Sequence, residues 1–206
     1  PATLRAPVEH AVRHHFPTHS VANDDGIISW AYEVAGSTAL MIAHWMRVGF
    51  VHGVMNTDNM SIHGLTIDYG PYGWLEDYNP GWTPNTTDAS NRRYRYAQQP
   101  QIGAWNLARW LESLIPLMEQ PERLEAVLDH YGEVFNEHHN QMWAAKLGLG
   151  SWQEKDQNIV AQLNSALQTI EIDMTIFFRL LSTLQSHIIE QLSPSFYQPL
   201  GEDEKP

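Results

Sequence analysis

The sequence contains no cysteine among its 206 residues. This absence excludes disulfide bonds, thiolate zinc sites and cysteine nucleophiles. Positive charge is also scarce, because 12 lysines and arginines face 24 aspartates and glutamates, which gives a formal net charge of −12. A chain this acidic lacks the basic surface that binds DNA or RNA.

Long apolar runs are missing as well. No uninterrupted apolar stretch approaches the ~18 residues that cross a bilayer, and residues 1–5 lack the apolar block of a signal peptide. We therefore predict a soluble, cytoplasmic protein with neither a membrane nor a nucleic acid as a partner.

Helical periodicity dominates what is present. Apolar residues recur at three- and four-residue spacing from Ile27 to about Val48, with Asp24 or Asp25 as the expected N-terminal cap and Gly49 at the C-terminal end. A shorter helical pattern precedes this one. Later segments with the same spacing lie near 103–115, 122–146, 154–170 and 172–191. The fold is therefore predicted to be mainly α.

One region departs from this helical pattern. Leu65-Thr66-Ile67 is typical of a short strand, and residues 71–101 form an irregular stretch rich in proline, glycine and aromatic side chains. The acidic tail, residues 201–206, is predicted to be disordered.

The chemistry is predicted in the loop from His52 to Asn59 and in the Asp68-Tyr69-Gly70 motif that follows. An amide oxygen and a carboxylate in loops suit a hard cation such as Mg²⁺, which completes its shell with water and phosphate oxygens. The pattern is similar to the catalytic-loop Asn and the metal-binding Asp of protein kinases. On spacing alone, a turn and a strand end explain the same residues equally well.

Alignment with the kinase loop places Val54 where kinases carry their catalytic aspartate. A valine accepts no proton, so the nearest carboxylate, Asp58, is the candidate base. The alternative interpretation is that Asp58 serves as a second metal ligand.

Several separated motifs resemble the selenoprotein O family, which has a kinase-like fold and transfers AMP. The resemblance covers nearly the whole chain except the first residues and the acidic tail. It rests on these stretches: 52–60, 64–71, Arg93 to Pro100, Ile102, Trp105 to Arg109, and Asp173 to Arg179.

The resemblance implies a site and a reaction. Asp58 falls on the family's proton acceptor, and Asn59 and Asp68 fall on its Mg²⁺ ligands, with Mn²⁺ as a substitute and Asp68 also serving nucleotide binding. The implied substrates are ATP and the Ser, Thr or Tyr hydroxyls of proteins. The implied location is the cytoplasm for a bacterial protein and the mitochondrion for a eukaryotic one.

The phosphate-binding half of such a site is missing from the sequence. No Gly-x-Gly-x-x-Gly motif occurs, and the first lysine is Lys146. The chain therefore resembles the C-terminal lobe alone, and we expect a fragment that binds ATP weakly by itself. Residues 1–100 would carry the catalytic loop and the Asp-Tyr-Gly motif, 101–200 the helical remainder, and 201–206 the tail.

Alternatives follow from Val54 and from a cluster of arginines. A valine at the base position also fits an inactive pseudokinase module that binds a partner protein. Arg92, Arg93 and Arg95 suit either an acidic substrate or a solvated turn. Asp173 and Arg179 are expected to form a buried structural pair.

Overall fold

The fold is mainly helical, as predicted. A computed structural model describes residues 2–184 and 189–199. Its α-helices are α1 (Ala2–His15), α2 (Asp24–Val48), α3 (Gln99–Leu114), α4 (Glu125–Lys146), α5 (Asp156–Ala166) and α6 (Met174–Leu181). Two short strands, β1 (Phe50–Val51) and β2 (Gly73–Trp74), complete the regular structure together with 3₁₀ turns. The tail 201–206 lies outside the described residues.

Helix α2 confirms the predicted helix and shifts its cap by one residue. The Oδ1 atom of Asn23 accepts a hydrogen bond from the Gly26 backbone N–H at 3.0 Å, as an N-terminal cap does. Asp24 lies inside the first turn instead, where its carboxylate accepts the backbone N–H groups of Glu119 and Gln120. Gly49 follows the helix with φ 72°, the left-handed conformation of a C-terminal cap.

Helix α2 is also long and apolar enough to span a membrane by length and composition, with a mean hydropathy of 1.2 over its most apolar 18-residue window. The sequence predicts no span, because polar residues interrupt every apolar run. Within that window 61% of the residues are buried in the protein. This degree of burial is typical of a core helix.

The predicted strand at Leu65-Thr66-Ile67 is wrong. These residues are irregular, and Leu65 is 61% exposed. The strands in the described ranges are β1 and β2, which pair antiparallel with Phe50 opposite Trp74. A strand needs a partner as well as β-prone residues, and here the partner of β1 begins only at Gly73.

The last predicted helix is shorter than its apolar pattern. Helix α6 ends at Leu181, where the hydroxyls of Ser182 and Thr183 donate to the Arg179 and Leu180 carbonyls and so satisfy groups that the helix leaves free. The expected Asp173–Arg179 pair is also wrong. Asp173 caps α6 by accepting the Ile176 N–H at 2.7 Å, while Arg179 is exposed.

The chain packs into two compact units, each drawn from three segments. The first comprises Pro1–Ala43, Val54–Gly70 and Gln98–Glu137. In its core Trp30 makes edge contacts with the rings of Phe16 and Trp110. Helix α3 approaches its neighbours closely at Gly103, where an added Cβ would lie 2.3 Å from the Ile42 side chain. The close approach of these helices therefore depends on a glycine.

The second unit comprises His44–Gly53, Pro71–Ala97 and His138–Pro206. Two buried tyrosines organise its core. Tyr78 donates its hydroxyl to Asn164 Oδ1 at 2.8 Å, and Tyr96 donates to the Met46 carbonyl at 2.5 Å. Burial raises the pKa of Tyr78 to about 12. The division predicted between residues 100 and 101 follows the order of motifs along the chain. The two compact units are defined by packing and do not test it. The predicted division therefore stays a prediction.

Candidate active site

The first part of the candidate site is a 3₁₀ turn, Thr57–Asn59, in the first unit. The Asn59 N–H closes the turn by donating to the Asn56 carbonyl at 3.0 Å. The Asn59 side chain is 9% exposed, and its Nδ2 donates to the Val54 carbonyl at 3.0 Å. This bond fixes the orientation of the amide, because only the nitrogen can donate. The Oδ1 atom accepts no hydrogen bond from any described residue, which leaves this oxygen available as a candidate ligand for a cation.

Asp58 precedes Asn59 in the same turn and is exposed to solvent. Its carboxylate forms no ion pair within residues 2–184 and 189–199. An exposed carboxylate next to a buried, oriented amide suits a proton acceptor for an incoming hydroxyl. The structure thus places these two predicted site residues side by side, with different degrees of burial.

Asp68, the second predicted metal ligand, lies in the same segment of the first unit, Val54–Gly70, but outside the Thr57–Asn59 turn. It is exposed and adopts φ 55°, and its carbonyl accepts the Gly70 N–H at 2.7 Å across a tight turn. A non-glycine residue in this left-handed region costs about 1 kcal/mol. Local backbone strain of this kind is often found at functional sites. Among the described residues, the Asp68 side chain forms no hydrogen bond to the Thr57–Asn59 turn.

The candidate residues offer two kinds of oxygen atom to a metal ion, an amide oxygen and a carboxylate. Within the described ranges, no group of three His, Asp or Glu side chains lies close enough to hold a metal. An Mg²⁺ ion commonly takes one or two protein oxygens and fills its other positions with water and phosphate. Asn59 Oδ1 and the Asp68 carboxylate are hard oxygen donors of this kind, so the residues present suit Mg²⁺ or Mn²⁺.

His52 and Gly53 begin the predicted loop in the second unit. His52 is 1% exposed and packs its ring 5.5 Å from the ring of Trp45, which makes it a core residue. Gly53 has φ 81°, and an added Cβ would lie 2.4 Å from the Pro71 carbonyl oxygen. The Gly53 carbonyl accepts Asn85 Nδ2 at 3.0 Å. His52 and Gly53 thus shape the start of the loop through packing and backbone conformation.

Arg92 is an element of loop structure rather than a free cation. Its Nη1 donates to the Gly81 carbonyl at 3.3 Å, and its own N–H donates to the Asp88 carbonyl at 2.7 Å. The Arg95 Nη1 donates to the Arg92 carbonyl at 3.0 Å. These contacts favour the structural interpretation of the Arg92–Arg95 segment.

Asn106 is a residue near the site to which the sequence assigned no role. It lies in α3, is 4% exposed, and donates its Nδ2 to the Met55 carbonyl at 2.9 Å. Met55 is three residues before Asp58. The sequence signals are an asparagine among the apolar positions of a helix and its place in the stretch Trp105 to Arg109, which resembles the family but pointed to no role for Asn106. Its partner, 51 residues away, is visible only in the fold.

Comparison with known proteins decides the family. A family model described as "Protein adenylyltransferase SelO" matches residues 1–202. The chain belongs to the SelO family. The resemblance to selenoprotein O seen in the sequence is therefore confirmed.

Curated relatives in the SelO family are bacterial proteins named "Protein nucleotidyltransferase YdiU". The chain is 46% identical over 200 residues to the one from Flavobacterium johnsoniae, covering 95% of this chain and 38% of the relative. It is 52% identical over 196 residues to the one from Rhodopirellula baltica, covering 92% and 36%. The identity to the protein of Xanthomonas campestris pv. campestris strain 8004 is 50% over 176 residues, covering 85% and 34%. The chain spans little more than a third of the length of these relatives.

Proposed function

We propose that this chain is the C-terminal portion of a protein adenylyltransferase with a kinase-like fold. It would transfer AMP from ATP to Ser, Thr or Tyr hydroxyls of proteins. The observation that carries the proposal is the Thr57–Asn59 turn, in which the buried Asn59 amide is tied down by its nitrogen while Asp58 beside it faces solvent. Membership of the SelO family supports the reaction class.

In the proposed reaction Asp58 accepts the proton of the substrate hydroxyl. The hydroxyl oxygen forms a bond to the α-phosphorus of ATP, the bond between that phosphorus and the bridging oxygen of the β-phosphate breaks, and pyrophosphate leaves. Asn59 Oδ1 and the Asp68 carboxylate would hold Mg²⁺ or Mn²⁺. When bound, the ion supplies positive charge that offsets the charge of the phosphates.

The phosphate cradle is proposed to lie in the rest of a longer protein. This chain has no Gly-x-Gly-x-x-Gly motif, and its first lysine is Lys146. Since the relatives named above are bacterial, we propose a cytoplasmic location. None of those three supports the mitochondrial alternative.

The test is Asp58→Ala in the natural full-length protein, assayed with α-labelled ATP and protein acceptors. We expect label transfer to fall at least about 100-fold, because the general base is lost. Asp129→Ala is the matched control, since Asp129 is an exposed aspartate of α4 in the same unit. Unchanged label transfer in Asp58→Ala would contradict the proposed role of Asp58.

The choice of nucleotide and of transferred group is tested in parallel. Label from α-labelled ATP should enter protein, label from γ-labelled ATP should not, and EDTA should abolish transfer. Transfer of the γ-label would indicate a kinase. Absence of all transfer from the folded full-length protein would favour the pseudokinase alternative.

The 206-residue chain alone should bind Mg-ATP weakly, because ligands for the metal supply only part of the binding energy of the triphosphate. Isothermal titration calorimetry of the isolated chain measures this directly. Low-micromolar affinity would contradict the proposal that the phosphate cradle lies elsewhere.

A further inference from the structure

A buried hydrogen bond attaches helix α3 to the loop that carries Asp58. The Nδ2 of Asn106 donates to the carbonyl of Met55 at 2.9 Å, and Met55 itself is fully buried. All the atoms involved belong to the first compact unit. The bond therefore joins a long, regular helix to the irregular residues just before the Thr57–Asn59 turn.

Two consecutive carbonyls of that loop are each fixed by an asparagine amide. The Val54 carbonyl accepts Nδ2 of Asn59 at 3.0 Å, and the Met55 carbonyl accepts Nδ2 of Asn106. Carbonyl directions set the planes of the peptide groups, and these planes set the path of the chain into the turn. The positions of Asp58 and Asn59 consequently depend on both amides.

One atom of the Asn106 side chain lies in an energetically unfavourable environment. Its Oδ1 is buried and has no hydrogen-bond partner among the described residues. The amide cannot be turned over, since the Met55 carbonyl requires a donor. A buried acceptor without a partner is unfavourable, and an apolar residue at position 106 would remove this acceptor but leave the buried Met55 carbonyl without its donor. The asparagine therefore satisfies the Met55 carbonyl at the expense of its own buried oxygen, so the two effects on stability oppose each other.

We infer that Asn106 is a positioning residue for the candidate active site, which it serves by holding the Met55 carbonyl so that Asp58 and Asn59 keep their geometry. This inference rests on the proposed function. Asn106 itself touches neither substrate nor metal in this scheme. The small displacements that follow loss of such a contact are known to reduce catalytic rates by as much as about 100-fold.

The first test is Asn106→Leu in the natural full-length protein. We expect kcat for AMP transfer to fall at least about 10-fold, with KM for ATP nearly unchanged. The midpoint of thermal unfolding should fall by only a few degrees, because the cost of about 1–3 kcal/mol for leaving the Met55 carbonyl without a donor is partly offset by removal of the unpaired Asn106 oxygen. Leu111→Met, a buried substitution in the same helix, is the control and should leave kcat unchanged.

A second variant separates the hydrogen bond from side-chain shape. Asn106→Asp has the shape of asparagine but can donate to the Met55 carbonyl only when protonated. Its kcat relative to the natural protein should therefore recover as the pH falls, whereas that of Asn106→Leu should not. A purely steric role of Asn106 predicts no such difference in pH profile.

Amide hydrogen exchange keeps the inference testable apart from the activity. The Asn59 N–H, which closes the turn, should exchange at least about 10-fold faster in Asn106→Leu than in the natural protein. If the natural protein transfers no nucleotide, the proposed function fails, and this measurement still tests the positioning. Unchanged exchange, or unchanged kcat in an active protein, would overturn the inference. Loss of folded protein in both variants would also overturn it, because Asn106 would then serve stability.

Discussion

The two parts of the candidate site are built in different ways. The Thr57–Asn59 turn is held by buried amide hydrogen bonds from Asn59 and from Asn106 in α3. The segment from Leu65 to Gly70 has no regular structure, and its Asp68 is exposed with a left-handed backbone conformation. One prospective metal ligand is thus oriented by the fold, whereas the other side chain has no hydrogen bond or ion pair in the ranges described.

The difference predicts distinct contributions from the two proposed metal ligands, Asn59 and Asp68. An oriented neutral amide supplies geometry, since little conformational entropy is lost when a cation binds it. An exposed carboxylate supplies charge and must be ordered on binding. Substitutions of Asn59 should therefore affect stability and activity together, and those of Asp68 should affect activity with little loss of stability.

Gly64 joins the two parts, and its substitution should have the largest effect on stability. Its φ is 62°, and an added Cβ would lie 2.6 Å from the Ser37 carbonyl oxygen. Gly64→Ala should lower the free energy of unfolding by about 2–3 kcal/mol, because backbone strain and a backbone clash combine. Urea unfolding measures this. Gly132→Ala in α4 is the control, because nothing lies within 4 Å of its added Cβ. Equal effects in the two variants would contradict the prediction.

The free energies of unfolding of these variants must be measured at one pH, because Lys146 makes stability depend on pH. Burial, with a smaller effect of Arg47, lowers the pKa of Lys146 from 10.5 to about 8. Between these two values the unfolded chain holds a proton that the folded chain has released, so stability rises with pH. Burial raises the pKa values of Tyr96 and Tyr131. Above about pH 10 these tyrosines lose their protons in the unfolded chain before they do in the folded one, which opposes the rise in stability.

Lys146→Met should remove the rise in stability between pH 8 and 10 and increase the free energy of unfolding at pH 7.5 by about 2 kcal/mol. The apolar side chain keeps contact with the rings of Trp143 and Phe178, against which the ammonium group now lies. Urea unfolding at several pH values tests this. A variant with the same pH dependence as the natural protein would show that Lys146 is not the group responsible.

Asn59→Ala should lower the free energy of unfolding by about 1 kcal/mol through loss of the bond to the Val54 carbonyl. It should also abolish the activity that we propose. Asp58→Ala in the same turn is the control, since the exposed Asp58 should change stability by less than about 0.5 kcal/mol. If the two variants were equally stable, the turn would not depend on the buried amide.

Among the Gly64→Ala, Lys146→Met, Asn59→Ala and Asp68→Gly substitutions, Asp68→Gly should have the smallest effect, a slight rise in stability. Glycine adopts φ 55° without steric strain, so relief at this position offsets its greater freedom in the unfolded chain. We expect the free energy of unfolding to rise by at most about 0.5 kcal/mol while activity is lost. Asp68→Asn, which tolerates this conformation, should leave stability unchanged. A marked loss of stability in Asp68→Gly would show that the carboxylate supports the fold.

Local signals predicted the helices well, and long-range contacts account for the differences. The periodicity of α2 is continuous from Ile27, but its cap moved to Asn23 because Asp24 is engaged with Glu119 and Gln120. The strand at residues 65–67 failed because pairing depends on a partner that the sequence does not specify. The motif identified Asp58, Asn59 and Asp68 as candidates. It did not show that Asn59 is buried whereas the two aspartates are exposed, because burial depends on packing against distant segments.

The Asp24 contact has a consequence for how the chain folds during its synthesis. Its carboxylate binds backbone groups 95 and 96 residues later in the sequence. When α2 leaves the ribosome, those groups do not yet exist, and water must solvate Asp24 until residue 120 has been added. The first compact unit, which also requires residues up to Glu137, closes late. A pause in translation before that point would leave the apolar face of α2 uncovered and available to chaperones.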